Sequence, residues 1–244
     1  TKMITITVLI THYEDFECLL RCLSSLVCQL RLPDEVIIVD DCSKNSDFAS
    51  LSFSSFPFDL RFTSLLQNSR GPSVPRNIGI DLTSTSHIIF LDCDDILTPF
   101  VIEDYHKEWS LSPKTLLFGH AYYWNDKRVT FLRDRAYSNK VSYSNLLKRG
   151  NYLVLSGMGG KINTFKENKF DINQRWEDFD LWIRLSKLGF SFKYMGMTTF
   201  YENKEVSRSS SKQSRRQGFI QLTLKHFDIR FLLNLGIWPL KNLV

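Results

Sequence analysis

Apolar positions in the first hundred residues switch between two periods, and the switching lays out an order of elements. Ile4 to Ile10 reads as a strand, after which Phe16, Leu19, Leu20, Leu23, Leu26, Val27 and Leu30 recur at helical spacing. Glu35 to Val39 is the next strand, so the opening is a strand–helix–strand unit with parallel strands and a right-handed crossover. Ser43 to Pro57 has no period and reads as a loop with room for a short helix. Asp59 to Leu65 is a third strand, and Asn68 to Pro72 breaks the chain ahead of a helix over Ser73 to Leu82. The run after His87, IIFL, is apolar throughout, as expected of a parallel strand buried on both faces.

The second half is less regular. Pro99 to Trp109 is helical with Pro at its start, and Thr115–Trp124 and Arg128–Leu132 are strands joined across Asn125–Asp126 as a hairpin. Tyr143 to Arg149 is a short helix stopped by Gly150. Leu153 to Lys161 carries Gly157, Gly159 and Gly160, which suits either close backbone approach to a ligand or an ordinary turn. A helix follows Trp176 with apolar face Phe179, Trp182, Ile183, Leu185 and Leu188, and Gly189 stops it. Phe190–Tyr194 and Thr198–Tyr201 read as two strands, Lys204–Arg216 as a mobile loop, and Gly218–Trp238 as one or two helices.

Composition adds bounds. A chain of 244 residues fits one large α/β domain, or one domain with a C-terminal appendage, and 43% hydrophobic with 23% charged residues is ordinary for a globular protein. The five cysteines contain no CxxC pair, which argues against a disulfide framework and a zinc site and fits a reducing, cytoplasmic setting. The first ten residues read as a strand rather than a leader peptide, and no apolar run reaches membrane-spanning length. The net charge of +5 sits wholly in Phe200 to Val244, so attraction to phosphates or an anionic surface resides in that tail. Its apolar residues beside Lys225 and Arg230 suit packing on the core or peripheral membrane contact. Nothing in this balance points to nucleic acid.

Candidate chemistry gathers at strand ends. In open α/β sheets, ligands bind beyond the carboxyl ends of the strands. There the chain places Asp40 and Asp41 in VDDCS, and Asp92, Asp94 and Asp95 in LDCDD. Carboxylates at i and i+2 suit one hard divalent cation that keeps sites open for phosphate; solvated turns and a helix cap are the plain alternative. Arg76 lies early in its helix, where a guanidinium can hold phosphate oxygens. Asp178 is either a functional carboxylate or the N-cap of its helix. Trp176 and Trp124 offer aromatic surface for a sugar or, more commonly, core packing.

Five blocks in this order, ITVLITHYED, PDEVIIVDDCS, RGPSVPRNIGI, HIIFLDCDD and RWEDFDLWIRLSKLGF, resemble the inverting glycosyltransferase family 2 of bacterial surface-polysaccharide type. The resemblance implies a GT-A fold, a Rossmann-like nucleotide-binding α/β architecture with a mostly parallel central sheet flanked by helices. It places the catalytic domain at 1–203, divided into a nucleotide-sugar half (1–98) and an acceptor half (99–203), with 204–244 as a basic extension. It further implies a nucleoside diphosphate sugar donor, a UDP-sugar first, and a glycan or lipid-linked glycan acceptor. Asp178 would be the catalytic base; Thr11, Tyr13, Glu14, Asp40, Arg76 and Asp92 would hold the nucleotide; Asp92 and Asp94 would bind Mn²⁺ or Mg²⁺. Two departures stand out. Thr11-His12-Tyr13-Glu14 replaces the family's Pro-Thr-Tyr-Asn, and a family His near the last strand is missing, leaving Lys204 or Arg208 for the diphosphate. Lys204–Arg216 would then order over bound donor as a lid.

Rival readings fare less well on the same residues. A sugar nucleotidyltransferase needs a Gly-rich loop after its first strand, where ITHYED has no glycine. A phosphoacceptor switch on Asp40–Asp41 leaves Asp92 to Asp95 unexplained, and a nucleotide-sugar-binding module without transfer activity leaves Asp178 without a task.

Overall fold

The computed structural model describes residues 3–44, 48–69, 71–125, 128–131, 141–202 and 212–226. Four strands form the parallel part of one sheet: β1 (Ile6–His12), β2 (Glu35–Asp40), β3 (Asp59–Ser64) and β4 (His87–Asp92), in the order β3-β2-β1-β4. Beyond β4 the sheet is mixed. It continues through β8 (Gly159–Lys161), β6 (Leu116–Asn125), β9 (Phe192–Glu202) and β5 (Asp95–Leu97), with β7 (Arg128–Phe131) paired to β6. The β4–β8, β8–β6, β9–β5 and β6–β7 pairs are antiparallel, whereas β6–β9 is parallel. The α/β class therefore holds, but the sheet is mixed rather than mostly parallel, with parallel pairing concentrated in β1 to β4.

Successive residues of a strand point to opposite faces, and here both faces are covered. Leu9, Ile37, Val39, Ile88 and Phe90 enter one core with α2 (Ser73–Leu82), α4 (Tyr143–Arg149), α5 (Ile162–Glu167) and α6 (Glu177–Lys187). Their neighbours Val8, Ile10, Val36, Ile38, Ile89 and Leu91 enter a second core with α1 (Phe16–Val27) and α3 (Val101–Leu111). Asp15 caps α1 by accepting from the Cys18 amide at 3.2 Å.

Three sequence expectations change. The glycine-rich stretch divides: Gly157 (φ 81°) lies in a turn, whereas Gly159 and Gly160 build β8, and a Cβ at Gly159 would stand 2.7 Å from the Ile88 carbonyl oxygen of β4. The two strands read over 190–201 are one, β9, with a register shift around Gly196 (φ 84°). Lys212 to Arg216, read as loop, belong to α7 (Lys212–Lys225). The rest of the expected lid, with Lys204 and Arg208, and the segment beyond 226 lie outside the described residues.

Candidate active site

Register brings the expected site residues to one sheet edge. Thr11 stands beside Asp92, His12 beside Asp40, and Asp40 beside Ser64. Cys93 and Asp94 form the turn from β4 into β5; Asp94 is exposed, while Asp95 is buried within the sheet.

Arg76 is the connector. It stands on α2 with its side chain 6% exposed, donating from Nη2 to Asp92 Oδ1 at 2.9 Å and from Nη1 to Glu177 Oε1 at 2.6 Å. The Phe170 ring lies 5.4 Å from its guanidinium carbon. Burial alone would ease proton loss, but the charges of Asp92 and Glu177 outweigh it and hold the proton more firmly. One guanidinium thus ties the acidic end of β4 to the first residue of α6. Its donors to these acids are engaged, so a diphosphate would share Arg76 with them.

Asp178 follows Glu177 in the first turn of α6. Its Oδ1 accepts from the Phe179 amide at 2.7 Å and its Oδ2 from Asn151 Nδ2 at 2.8 Å. Trp176, not Asp178, occupies the N-cap position, and it makes no side-chain capping bond. Burial and the neighbouring Glu177 push the Asp178 carboxyl up to about 6, against the Asn151 and amide hydrogen bonds and the charge of Arg76. A carboxylate poised there suits proton abstraction near neutral pH.

Asp40 is occupied differently. It is 1% exposed, and its oxygens accept from His12 Nδ1 (2.8 Å), the Ser43 amide (2.9 Å), Ser64 Oγ (2.7 Å) and Ser43 Oγ. Although burial pushes the carboxyl up, these bonds hold it near 2. A nucleotide base would have to displace one of these donors to reach it. The β1 and β2 loops are laced together around it: the Glu14 amide donates to Ser43 Oγ at 2.7 Å, and Glu14 Oε1 accepts from the Lys44 amide at 3.0 Å. Glu14 adopts φ 65°, and the Tyr13 amide bonds the buried Cys93 thiol. Thr11 Oγ1 lies 3.4 Å from Asp92 Oδ1.

Among the described residues no group of three or more His, Cys, Asp or Glu side chains is arranged to hold a metal ion. Asp92 and Asp94, with Cys93 between them, offer two carboxylates at the end of β4. Asp92 is 38% exposed, and both Arg76 and Thr11 address its Oδ1. The sequence reading missed His12 as the partner of Asp40, Glu177 as the partner of Arg76, and Asn151 as the partner of Asp178. The Trp124 side chain lies outside the described residues.

The sequence profile described as Glycosyl transferase family 2 matches residues 7–174. Glycosyltransferase GlyA of Streptococcus pneumoniae serotype 4 is 24% identical over 186 residues, covering 71% of this chain and 27% of that protein. The poly(ribitol-phosphate) beta-N-acetylglucosaminyltransferase TarP of Staphylococcus aureus strain N315 is 30% identical over 116 residues, covering 47% of this chain and 36% of TarP. The chain thus spans about a quarter to a third of the length of these relatives. Among solved structures, residues 1–349 of S. aureus TarS in complex with UDP-GlcNAc superpose with a TM-score of 0.73 at 17% identity, over 91% of this chain and 66% of that one.

Proposed function

The chain belongs to glycosyl transferase family 2, and from that premise we propose that it moves a sugar from a UDP-sugar to an acceptor hydroxyl with inversion, with Asp178 as general base. The observation that carries this reading is the continuous path Asp92–Arg76–Glu177 that ends beside Asp178. It supports the reading by linking the start of α6 to the carboxyl end of β4, the kind of edge where open α/β sheets take ligands. UDP-GlcNAc is the first donor to try, since the fold neighbour binds it and TarP is named for N-acetylglucosamine transfer. The acceptor is a glycan, a lipid-linked glycan or a polyol phosphate of a bacterial surface polymer, met on the cytoplasmic side of the membrane. Among the described residues no helix is long and apolar enough to cross a membrane.

In this reading the edge formed by Thr11, Tyr13, Glu14, Asp40 and Asp92 receives the nucleotide, and Asp40 acts by holding the β1 and β2 loops in shape. Arg76 supplies positive charge where the leaving diphosphate departs. Asp92 and Asp94 would hold Mn²⁺ or Mg²⁺, which neutralises diphosphate charge when bound. Asp178 takes the proton of the acceptor hydroxyl as that oxygen attacks C1 from the face opposite the leaving group. One carboxylate is enough for a single displacement.

The test is transfer and thermal stabilisation across a panel of UDP-, GDP- and dTDP-sugars, with Mn²⁺ and with EDTA. Donor binding without turnover of any donor would instead support a binding module. A separate expectation concerns Asp94, whose carboxylate is exposed in the turn after β4. Asp94→Ala should fold normally and abolish the effect of the cation on UDP-sugar affinity in calorimetry; equal affinity of the parent with and without EDTA would remove the metal from the proposal.

A further inference from the structure

The helix α7 lies beyond the matched stretch 7–174 and beyond the expected domain limit at 203, yet it rests on the turn that carries Asp178. Gly218 is buried against Trp176: a Cβ there would stand 3.0 Å from the indole Nε1 and 3.1 Å from Cδ1 and Cε2. A methyl there would be tighter than ordinary contact, so the ring or the helix would have to give by a few tenths of an ångström. One turn later, Gln221 Oε1 accepts from the Arg175 amide at 3.1 Å, and Leu222, 1% exposed, enters the core shared with α6.

At its far end α7 is fastened by charge. Asp180 of α6 is fully buried and accepts from His226 Nε2 at 2.7 Å, Lys225 Nζ at 2.9 Å and Arg184 Nε at 2.9 Å; Lys225 also reaches Asp171 at 2.5 Å. A buried carboxylate is costly, and an apolar contact would hold two helices together as well. What the charged network adds is geometry, because Lys225 and His226 at the end of α7 both converge on one buried carboxylate of α6, whereas Arg184 reaches it from within α6. With its end held there, α7 meets Arg175 and Trp176 immediately ahead of Glu177 and Asp178.

We propose that α7 is a clamp on the catalytic turn, in which Gly218 seats the Trp176 indole and Asp180 locks the helix, making both of them positioning residues for Asp178 and its acceptor. The clamp deepens the proposed function and rests on the reading of Asp178 as the base. The ring edge of Trp176, half-buried next to that base, becomes the wall that the acceptor meets.

Gly218→Ala tests it cleanly, because alanine is the better helix former and the new methyl can be admitted only if the indole or the helix shifts. Its melting temperature should equal or exceed the parent's, and the Trp176 indole N–H resonance should move. Turnover of UDP-GlcNAc should fall about tenfold or more, as small misplacements of a reacting group can cost, with donor KM within about twofold of the parent. Gln221→Ala is the second variant, expected to speed hydrogen exchange of the Arg175 amide about tenfold or more as its bond is lost. An unmoved indole resonance, a moved resonance with turnover intact, or a loss of donor affinity matching the loss of turnover would each overturn the clamp. Failure of the functional reading looks different: the parent itself would turn over no sugar donor, and the indole and amide measurements would still decide whether α7 clamps the turn.

Discussion

Asp178→Asn is expected to fold and bind donor like the parent and to lose about a hundred- to ten-thousand-fold in transfer, the usual cost of removing a general base. The structure sharpens this expectation by removing the N-cap alternative, since α6 begins at Glu177 and its cap position belongs to Trp176. An Asn at 178 can still accept from the Phe179 amide, and Asn151 can turn its own amide to suit the new neighbour. The folded chain should therefore tolerate it. The pH dependence follows from a carboxyl pushed up to about 6 by burial and Glu177. A base works deprotonated, so parent transfer should rise with pH and level off above about 6. Stability runs the other way: between the ordinary carboxylate range and about 6 the folded chain holds a proton that the unfolded chain has released, so stability falls as pH rises through that window. Asp178→Asn escapes that loss and should be more stable than the parent at pH 7. Retention of more than about a tenth of parent transfer, above what base loss allows, would end the assignment and turn attention to Glu177. Glu177→Gln should be milder and should move the acid limb to lower pH, because Glu177 helps raise Asp178.

The strands β1, β2 and β4 were legible because they are buried on both faces, which leaves an apolar run in the sequence. The three-residue strands β5 and β8 were not, since neither is long enough to show a period and β8 is built from glycines that read as loop. The start of α7 was misread through its charge: Lys, Gln and Arg are good helix formers, and composition alone does not separate a charged helix from a charged loop. Within the site, residue types were legible and their partners were not. Arg76 was read against a phosphate because no local pattern reveals Asp92 16 residues on or Glu177 101 residues on. Asp40 looked like an open acceptor because Ser64, which helps to saturate it, arrives from another strand through the register of β2 with β3.

Those distant partners of Arg76 lead to the second large effect. If Arg76 served only to grip a diphosphate, Arg76→Met would weaken donor binding and leave the unliganded protein unchanged. The ion pairs give another result. Methionine fills much of the arginine's volume but leaves Glu177, 16% exposed, and Asp92, 38% exposed, without their shared cation. Breaking a buried pair from one side costs about 3–5 kcal/mol, and the partial exposure of Asp92 points to the lower end. For a chain of this size that is a fall in melting temperature of roughly 6–12 °C without any ligand present. The chemistry should shift as well. Arg76 is one of the influences that lower the Asp178 carboxyl, so its removal should carry the acid limb of the transfer profile above about 6. Arg76→Lys separates charge from shape: one ammonium cannot repeat the two-armed reach to Asp92 and Glu177, so it should restore most of the pH profile but only part of the stability. A melting temperature within about 2 °C of the parent for Arg76→Met, less than even 1 kcal/mol typically produces, would show that the bridge does not hold β4 to α6. Arg76 would then return to the diphosphate.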